Sequence, residues 1–181
     1  MTPTGRSPFE GQVVRLRAVE ETDLAWINRE FWNPNVTRSL TIVWPESAVG
    51  TRAWWEATRA KDPGPFLIET LHDPVEPVGV CTLEGVDARS RAAELGIWLA
   101  EAHWGHGYGS DAVRTLCRFG FREMNLQRIA LSVNETNPRG VRAYAKVGFR
   151  EEGRRRRAEF VDGRYIDVIE MALLAEELLE G

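Results

Sequence analysis

The stretch HWGHGYGSDA, residues 103–112, sets glycines at 105, 107 and 109 between an alternating segment and an amphipathic one. Upstream, RAAELGIWLA (91–100) reads as a strand with Glu94, Gly96 and Trp98 on one face and Leu95, Ile97 and Leu99 on the other. Downstream, Val113, Leu116, Cys117, Gly120, Phe121 and Met124 keep the i, i+3, i+4 spacing of a helix that buries one side. Strand, glycine turn and helix in that order force the helix back onto the sheet. Its first amides lack partners within the helix and point into the turn. Such a turn is either a plain reversal or an anion cradle, in which glycine lets the backbone close on a phosphate with no side chain between.

Two familiar phosphate motifs fit poorly. A P-loop closes on Gly-Lys-Ser/Thr, and no lysine stands here. A dinucleotide fingerprint is met in part by Gly105, Gly107 and Ser110, but it wants an acid about 20 residues on. The next strand, RIALSV (128–133), ends too late, at Asn134 and Glu135.

The remaining chain supplies a sheet for this unit. QVVRLRAV (12–19) alternates as a first strand, and EETDLAWINREF (20–31) carries helical spacing with Thr22 or Asp23 as cap. PESAVGTRAWWEATRAK (45–61) reads as a second helix opened by Pro45. PFLIETL (65–71) and EPVGVCTLEGV (76–86) are strands, and PRGVRAYAKVG (138–148) is a short helix stopped by Gly148. The residues from 149 to 174 form two strands about Asp162-Gly163. The 181 residues, 43% hydrophobic and 28% charged, suit one soluble domain. That domain is expected over 11–175, with a flexible N-terminus (1–10) and a C-terminal tail (176–181).

A net charge of −4 gives no global field for nucleic acid or an anionic membrane, and no run of 18 apolar residues exists to span one. Only Lys61 and Lys146 are lysines among 23 basic residues, a skew of composition rather than of function. Cys81 and Cys117 are far apart in apolar settings, so buried thiols are expected and neither a disulfide framework nor a metal site. With no apolar run at the N-terminus, a cytoplasmic protein is expected.

HWGHGYGSDA, with NETNPRGVRAYAKVGF after the next strand, resembles the acyl-CoA-binding core of the GNAT superfamily of N-acetyltransferases. Gly107 and Gly109 match the glycines of its Arg/Gln-x-x-Gly-x-Gly/Ala loop, with Trp104 in place of the first Arg or Gln. Asn137, Tyr144, Gly148 and Phe149 match its second block. AELGIWL and DGRYIDVIEMALL resemble the branch that acetylates ribosomal-protein N-termini and its polyamine- and antibiotic-acetylating relatives.

The resemblance implies an α/β (α+β) fold: one mixed, mostly antiparallel twisted sheet of about seven strands, splayed at the centre and flanked by about four helices. It implies acetyl-CoA as co-substrate, without a metal. The pantetheine arm would bond the backbones of Ile97 and Leu99, and the pyrophosphate would rest on the amides of Gly105, His106, Gly107, Tyr108, Gly109 and Ser110. Asn137 would hold the arm, and Tyr144 would protonate the departing thiolate. Glu94 is the leading base, with Glu84 the alternate; Glu94 paired with Arg89 or Arg91 is the competing reading. Cys117, inside the helix stripe, reads as core rather than as an acyl carrier.

Five of the seven tryptophans, Trp26, Trp32, Trp44, Trp54 and Trp55, fall in the first third, where the family builds an acceptor wall. Most read as core, with one or two at the pocket and with Asn33 and Asn35 nearby. GRRRRAEF (153–160) presents no single four-arginine face on a strand, so a solvated or ion-paired hairpin is expected, from which one arginine could meet the 3′-phosphate of CoA. The expected function is acetyl transfer to a primary amine, foremost a peptide or protein N-terminal α-amine. A polyamine or aminoglycoside-type acceptor and a non-catalytic acyl-CoA-binding module are the alternatives, and the branch implies a homodimer.

Overall fold

Short alternating segments joined by tight turns pair with their sequence neighbours, and the exception builds the site. The computed structural model describes residues 7–42, 44–61 and 63–179. Its strands are β1 (Val14–Ala18), β2 (Phe66–Thr70), β3 (Pro77–Asp87), β4 (Ala92–Leu99), β5 (Arg128–Asn134), β6 (Arg150–Val161) and β7 (Arg164–Leu174). They form one seven-stranded sheet in the order β1-β2-β3-β4-β5-β7-β6. Every neighbouring pair is antiparallel except β4 and β5. A parallel pair needs a crossover, and helix α4 (Tyr108–Arg122) provides it. The β4–β5 ladder holds only Ala92↔Arg128, Ala93↔Ile129 and Glu94↔Ala130. Beyond Glu94, β4 stays on β3 as far as Leu99 while β5 follows β7. The sheet is therefore split at its centre.

Helix α4 seals one face of the sheet. Ala112, Val113, Leu116 and Cys117 are buried with Leu83, Ala93, Leu95, Ile129 and Leu131. Gly120 sits where a Cβ would stand 3.1 Å from methyl groups of Ile129 and Leu126, so the helix approaches the sheet more closely than a side chain there would allow. The opposite face carries α1 (Leu24–Phe31) and α3 (Ala48–Thr58), with Leu24, Ile27 and Trp55 packed on Leu67 and Val80.

Alongside the four expected helices, α1, α3, α4 and α5 (Pro138–Ala145), a fifth, α2, runs over Pro34–Ser39. Asn33 caps it by accepting from the Asn35 amide at 2.9 Å, with Pro34 at its first position. Its signal in the sequence is that Asn-Pro pair, since six residues give too little periodicity to detect. Helix α3 starts at Ala48, later than Pro45 suggested.

Both ends make contacts with the domain where they are described. The Phe9 ring packs on Phe66 and Phe119 at centroid distances of 5.7 and 4.9 Å, and Leu16 N donates to Phe9 O, so residues 7–10 are docked, not a flexible extension. In the C-terminal tail, Leu178 packs on the core and Leu179 N donates to Val147 O; residues 1–6 and 180–181 of these two segments lie outside the described residues. Asp162 and Gly163 both take positive φ, 51° and 79°, as a two-residue hairpin turn requires. No helix among the described residues is long and apolar enough to cross a membrane.

Candidate active site

The split opens a cleft of about 470 Å³ between β4 and β5, walled by α2, the turn before α4, and α5. Ala100 N donates to Val78 O, on the β3 side. Since backbone groups alternate sides along a strand, those of Trp98 also face β3, and those of Ile97 and Leu99 face the cleft. The Leu99 carbonyl bears this out by accepting from Trp104 Nε1 at 2.9 Å. Trp104, which stands where the family pattern has Arg or Gln, thus braces the rim of the split.

Below this rim lies the glycine turn. Gly105 and Gly107 have φ of 83° and 82°, and a Cβ on either would meet nothing within 4 Å, so left-handed backbone geometry rather than crowding calls for glycine there. Gly107 is the N-cap of α4, and the first helical amide bond is Asp111 N to Gly107 O at 3.2 Å. The amides of Tyr108, Gly109 and Ser110 therefore have no partner inside the helix, at its positive end. Gly109 also lies against Leu99, with 3.2 Å between an added Cβ and Leu99 Cδ1. Open space around the turn, unpaired amides and a positive dipole fit a diphosphate.

His106 is the one residue of the expected cradle that does not line the cleft: it is exposed and stacks on Tyr108 at 5.6 Å. Tyr108 is held from the other side by His72, whose Nε2 lies 3.0 Å from the phenol oxygen.

Beneath the cradle is a contact the sequence did not announce. The carboxylate of Asp111, 5% exposed, accepts from the backbone amides of Gln12, Val13 and Val14 at 3.0, 2.8 and 3.1 Å. An acid in the first turn of α4, which by position suits the helix dipole, instead pins the chain entering β1.

Helix α5 forms the other wall. Asn137 caps it, its Oδ1 accepting from the Gly140 amide at 3.0 Å, and the residue also lines the cleft. Arg139, Arg142 and Lys146 follow at helical spacing and line it too. The Arg139 guanidinium lies 3.6 Å from the centre of the Trp104 ring; burial, then repulsion from Arg142, lowers its pKa. This cationic stripe was overlooked in the sequence, although R-x2-R-x3-K on a helix was the signal for it. Of the hairpin arginines, one of which was expected toward the 3′-phosphate, only Arg155 lines the cleft, and that side chain is paired with Glu170 at 2.6 Å. A break in strand register between Arg155 and Glu159 also removes the simple alternation expected for residues 154–157.

Tyr144 faces the cleft from α5, and burial pushes its phenol up to about 12. Glu94 lies at the apex of the split, exposed, opposite Glu84 across the β3–β4 ladder. Among the described residues no ion pair joins Glu94 to Arg89 or Arg91; Arg91 instead donates to Asn125 O and Gln127 Oε1. Cys81 and Cys117 are wholly buried, which pushes both thiols up and leaves no thiolate.

The acceptor side of the cleft differs from the expected aromatic wall. None of the five early tryptophans lines it; Ser39, Leu40 and Thr41 do, with Trp98 from β4. Trp26, Trp54 and Trp55 belong to the second core cluster, and Trp44 is 80% exposed. The apolar spacing of α1 and α3 uses Trp26, Trp54 and Trp55 for packing. Asn33 and Asn35 both donate to the Glu101 carboxylate, at 2.9 and 2.7 Å, rather than into the cleft.

Comparison with known proteins agrees with this geometry. The family described as acetyltransferase (GNAT) domain matches residues 14–150. An uncharacterized N-acetyltransferase, p20, of Bacillus licheniformis is 36% identical over 102 residues, 56% of this chain and 57% of that one. Spermidine N(1)-acetyltransferase of Vibrio cholerae is 30% identical over 169 residues, covering 91% of this chain and 94% of that one. Ribosomal-protein-serine acetyltransferase of Escherichia coli is 31% identical over 93 residues, 51% and 52% of the two chains. The crystal structure of the V. cholerae spermidine N-acetyltransferase with CoA and spermine superimposes with a TM-score of 0.83 at 28% identity, over 91% of this chain and 96% of that one. The split sheet, the glycine cradle and these matches together show that the chain belongs to the GNAT family and is an acetyl-CoA-dependent N-acetyltransferase.

Proposed function

We propose that the acceptor is the α-amine of a peptide or protein N-terminus, acetylated by direct attack in a ternary complex. The observation that carries this reading is the mixed character of the acceptor side. The hydroxyl protons of Ser39, Thr41 and Ser132 are donated to Val36 O, Leu40 O and Glu170, so these side chains and the Asn134 amide present neutral oxygen acceptors beside Glu94 and Glu159, which suits an ammonium followed by peptide N–H groups better than a bare polycation.

Acetyl-CoA, when bound, supplies an acetyl group activated as a thioester. The chain's own part is to hold and to move protons. The amides of Tyr108 to Ser110 and the stripe Arg139, Arg142 and Lys146 hold the phosphates. The backbones of Ile97 and Leu99, with Asn137, hold the pantetheine arm. Glu94 takes the ammonium proton, directly or through water. That task is modest for an α-amine, of which about one in ten is already neutral at pH 7, against about one in 2,500 for a lysine-like amine.

Tyr144 keeps its proton at neutral pH and directs it to the departing thiolate. A thiol titrates near 8.5, so complete transfer from a phenol at about 12 is uphill by roughly 5 kcal/mol. The phenol therefore acts as a hydrogen-bond donor to the developing charge more than as a full acid.

A polyamine acceptor is the second reading. The facing carboxylates of Glu84 and Glu94 and the likeness to spermidine acetyltransferase over 91% of the chain favour it. An acceptor screen read by release of free CoA thiol decides between them. Short peptides with Ser or Ala N-termini turning over faster than spermidine is the expected result, and the reverse order refutes the α-amine reading.

A further inference from the structure

A second cavity, of about 540 Å³, opens beside the first, between α2, the start of α5 and the β6–β7 turn. Ser39, Trp104, Asn137 and Arg139 line both, so the two are adjacent. Its far wall carries Arg38, from α2, and Arg164, from the first position of β7. Neither side chain has an ion pair or hydrogen bond among the described residues. At least eleven of the described arginines donate to carboxylates or backbone carbonyls. Arg38 and Arg164 do not, and they border the same groove. The groove also holds two acids, Glu101, which accepts from Asn33 and Asn35, and Asp162; with Arg139 beside Arg38 and Arg164, three guanidiniums face two carboxylates and the lining stays net positive.

We propose that this groove receives a carboxylate side chain of the acceptor, so that the enzyme selects peptides with an acidic residue downstream of the amine it acetylates. This rests on the α-amine reading and deepens it. Guanidiniums bind carboxylates through paired N–H donors, whereas they repel the distal ammonium of a polyamine. The groove borders the cleft at Ser39 on α2, so an extended acceptor with its amine near Glu94 would run on toward Arg38 and Arg164.

The test uses the full chain with a set of hexapeptides, N-terminal Ser followed by neutral residues, in which Asp, Asn or Lys replaces each of positions 2 to 6 in turn. At one position or more, Asp should raise kcat/KM over Asn by about threefold to tenfold, through KM. The gain should vanish in 0.5 M salt, as solvent-accessible ion pairs are screened. In Arg38→Ala/Arg164→Ala the Asp/Asn ratio should fall to about one, and in Arg164→Glu the Lys peptide should become the preferred one. These ratios do not depend on how much total activity a variant retains. Equal turnover of Asp and Asn peptides at every position, or an Asp preference that survives in the double variant, overturns the inference and leaves the α-amine reading standing. All peptides inert while spermidine turns over overturns both.

Discussion

Asp111 is the most demanding test of how the cradle is supported. Its carboxylate accepts from the amides of Gln12, Val13 and Val14, and only Val14, at 0% exposure, cannot regain water when the acceptor is removed. A hydrogen bond to a charged group contributes about 1.5–3 kcal/mol, and a donor left buried costs about as much. Counting the Val14 bond in full and the other two at about 0.5 kcal/mol each gives about 2.5–4 kcal/mol for Asp111→Ala. In a domain of this size each kcal/mol moves Tm by about 2–4 °C, so a fall of about 5–16 °C is expected in a thermal melt. Asp111→Asn should lose nearly as much, because its NH2 group turns a donor toward donors. The neighbouring glycine provides a cross-check. A Cβ on Gly11 would lie 2.3 Å from Asp111 Oδ2, so Gly11→Ala alone is destabilising. In the Asp111→Ala background that clash is gone and the second substitution should cost at least about 1 kcal/mol less. Asparagine melting with the native chain, or strict additivity of the two changes, would refute this account.

Tyr144→Phe should lower kcat by about tenfold or more and leave the Kd for acetyl-CoA nearly unchanged, measured by single-turnover kinetics and calorimetry. Because burial raises this phenol from 10.0 to about 12, the native state holds the proton where the unfolded chain has lost it. Stability therefore falls between about pH 10 and 12, and a pH series of denaturation midpoints should show that slope reduced in Tyr144→Phe. Glu94→Gln should reduce kcat/KM more for spermidine than for a Ser peptide, since the lysine-like amine depends more on a base; equal losses would remove Glu94 from proton transfer. Gly107→Ala meets no steric obstacle but forces an alanine into the left-handed region, at about 1–2 kcal/mol. Relaxation of the N-cap should weaken acetyl-CoA binding by about tenfold by calorimetry, and unchanged affinity would show that the amides of Tyr108 to Ser110 do not hold the phosphates.

What the sequence determined by itself was the unit of strand, glycine turn and helix, because its signals are local. Alternation in 91–100, left-handed glycines at 105 and 107 and the stripe from Val113 to Met124 each follow from backbone geometry within a few residues. The second block, with Asn137 and Tyr144, was legible through its resemblance to the family's pattern, and it lies across the cleft from the first. Tertiary structure alone decided the contacts between residues far apart in the chain. The bond from Asp111 to residues 12–14 spans nearly a hundred positions, Trp104 turns back to Leu99, and Trp26, Trp54 and Trp55 pack in a core while no early tryptophan lines the cleft. Where β4 parts from β5, after Glu94↔Ala130, follows from β4 staying with β3 and β5 with β7, and it decides which arginines border the cleft and which meet a carboxylate elsewhere. Local propensity carries no record of it, since an exposed arginine has the same sequence signature whether it is paired or free.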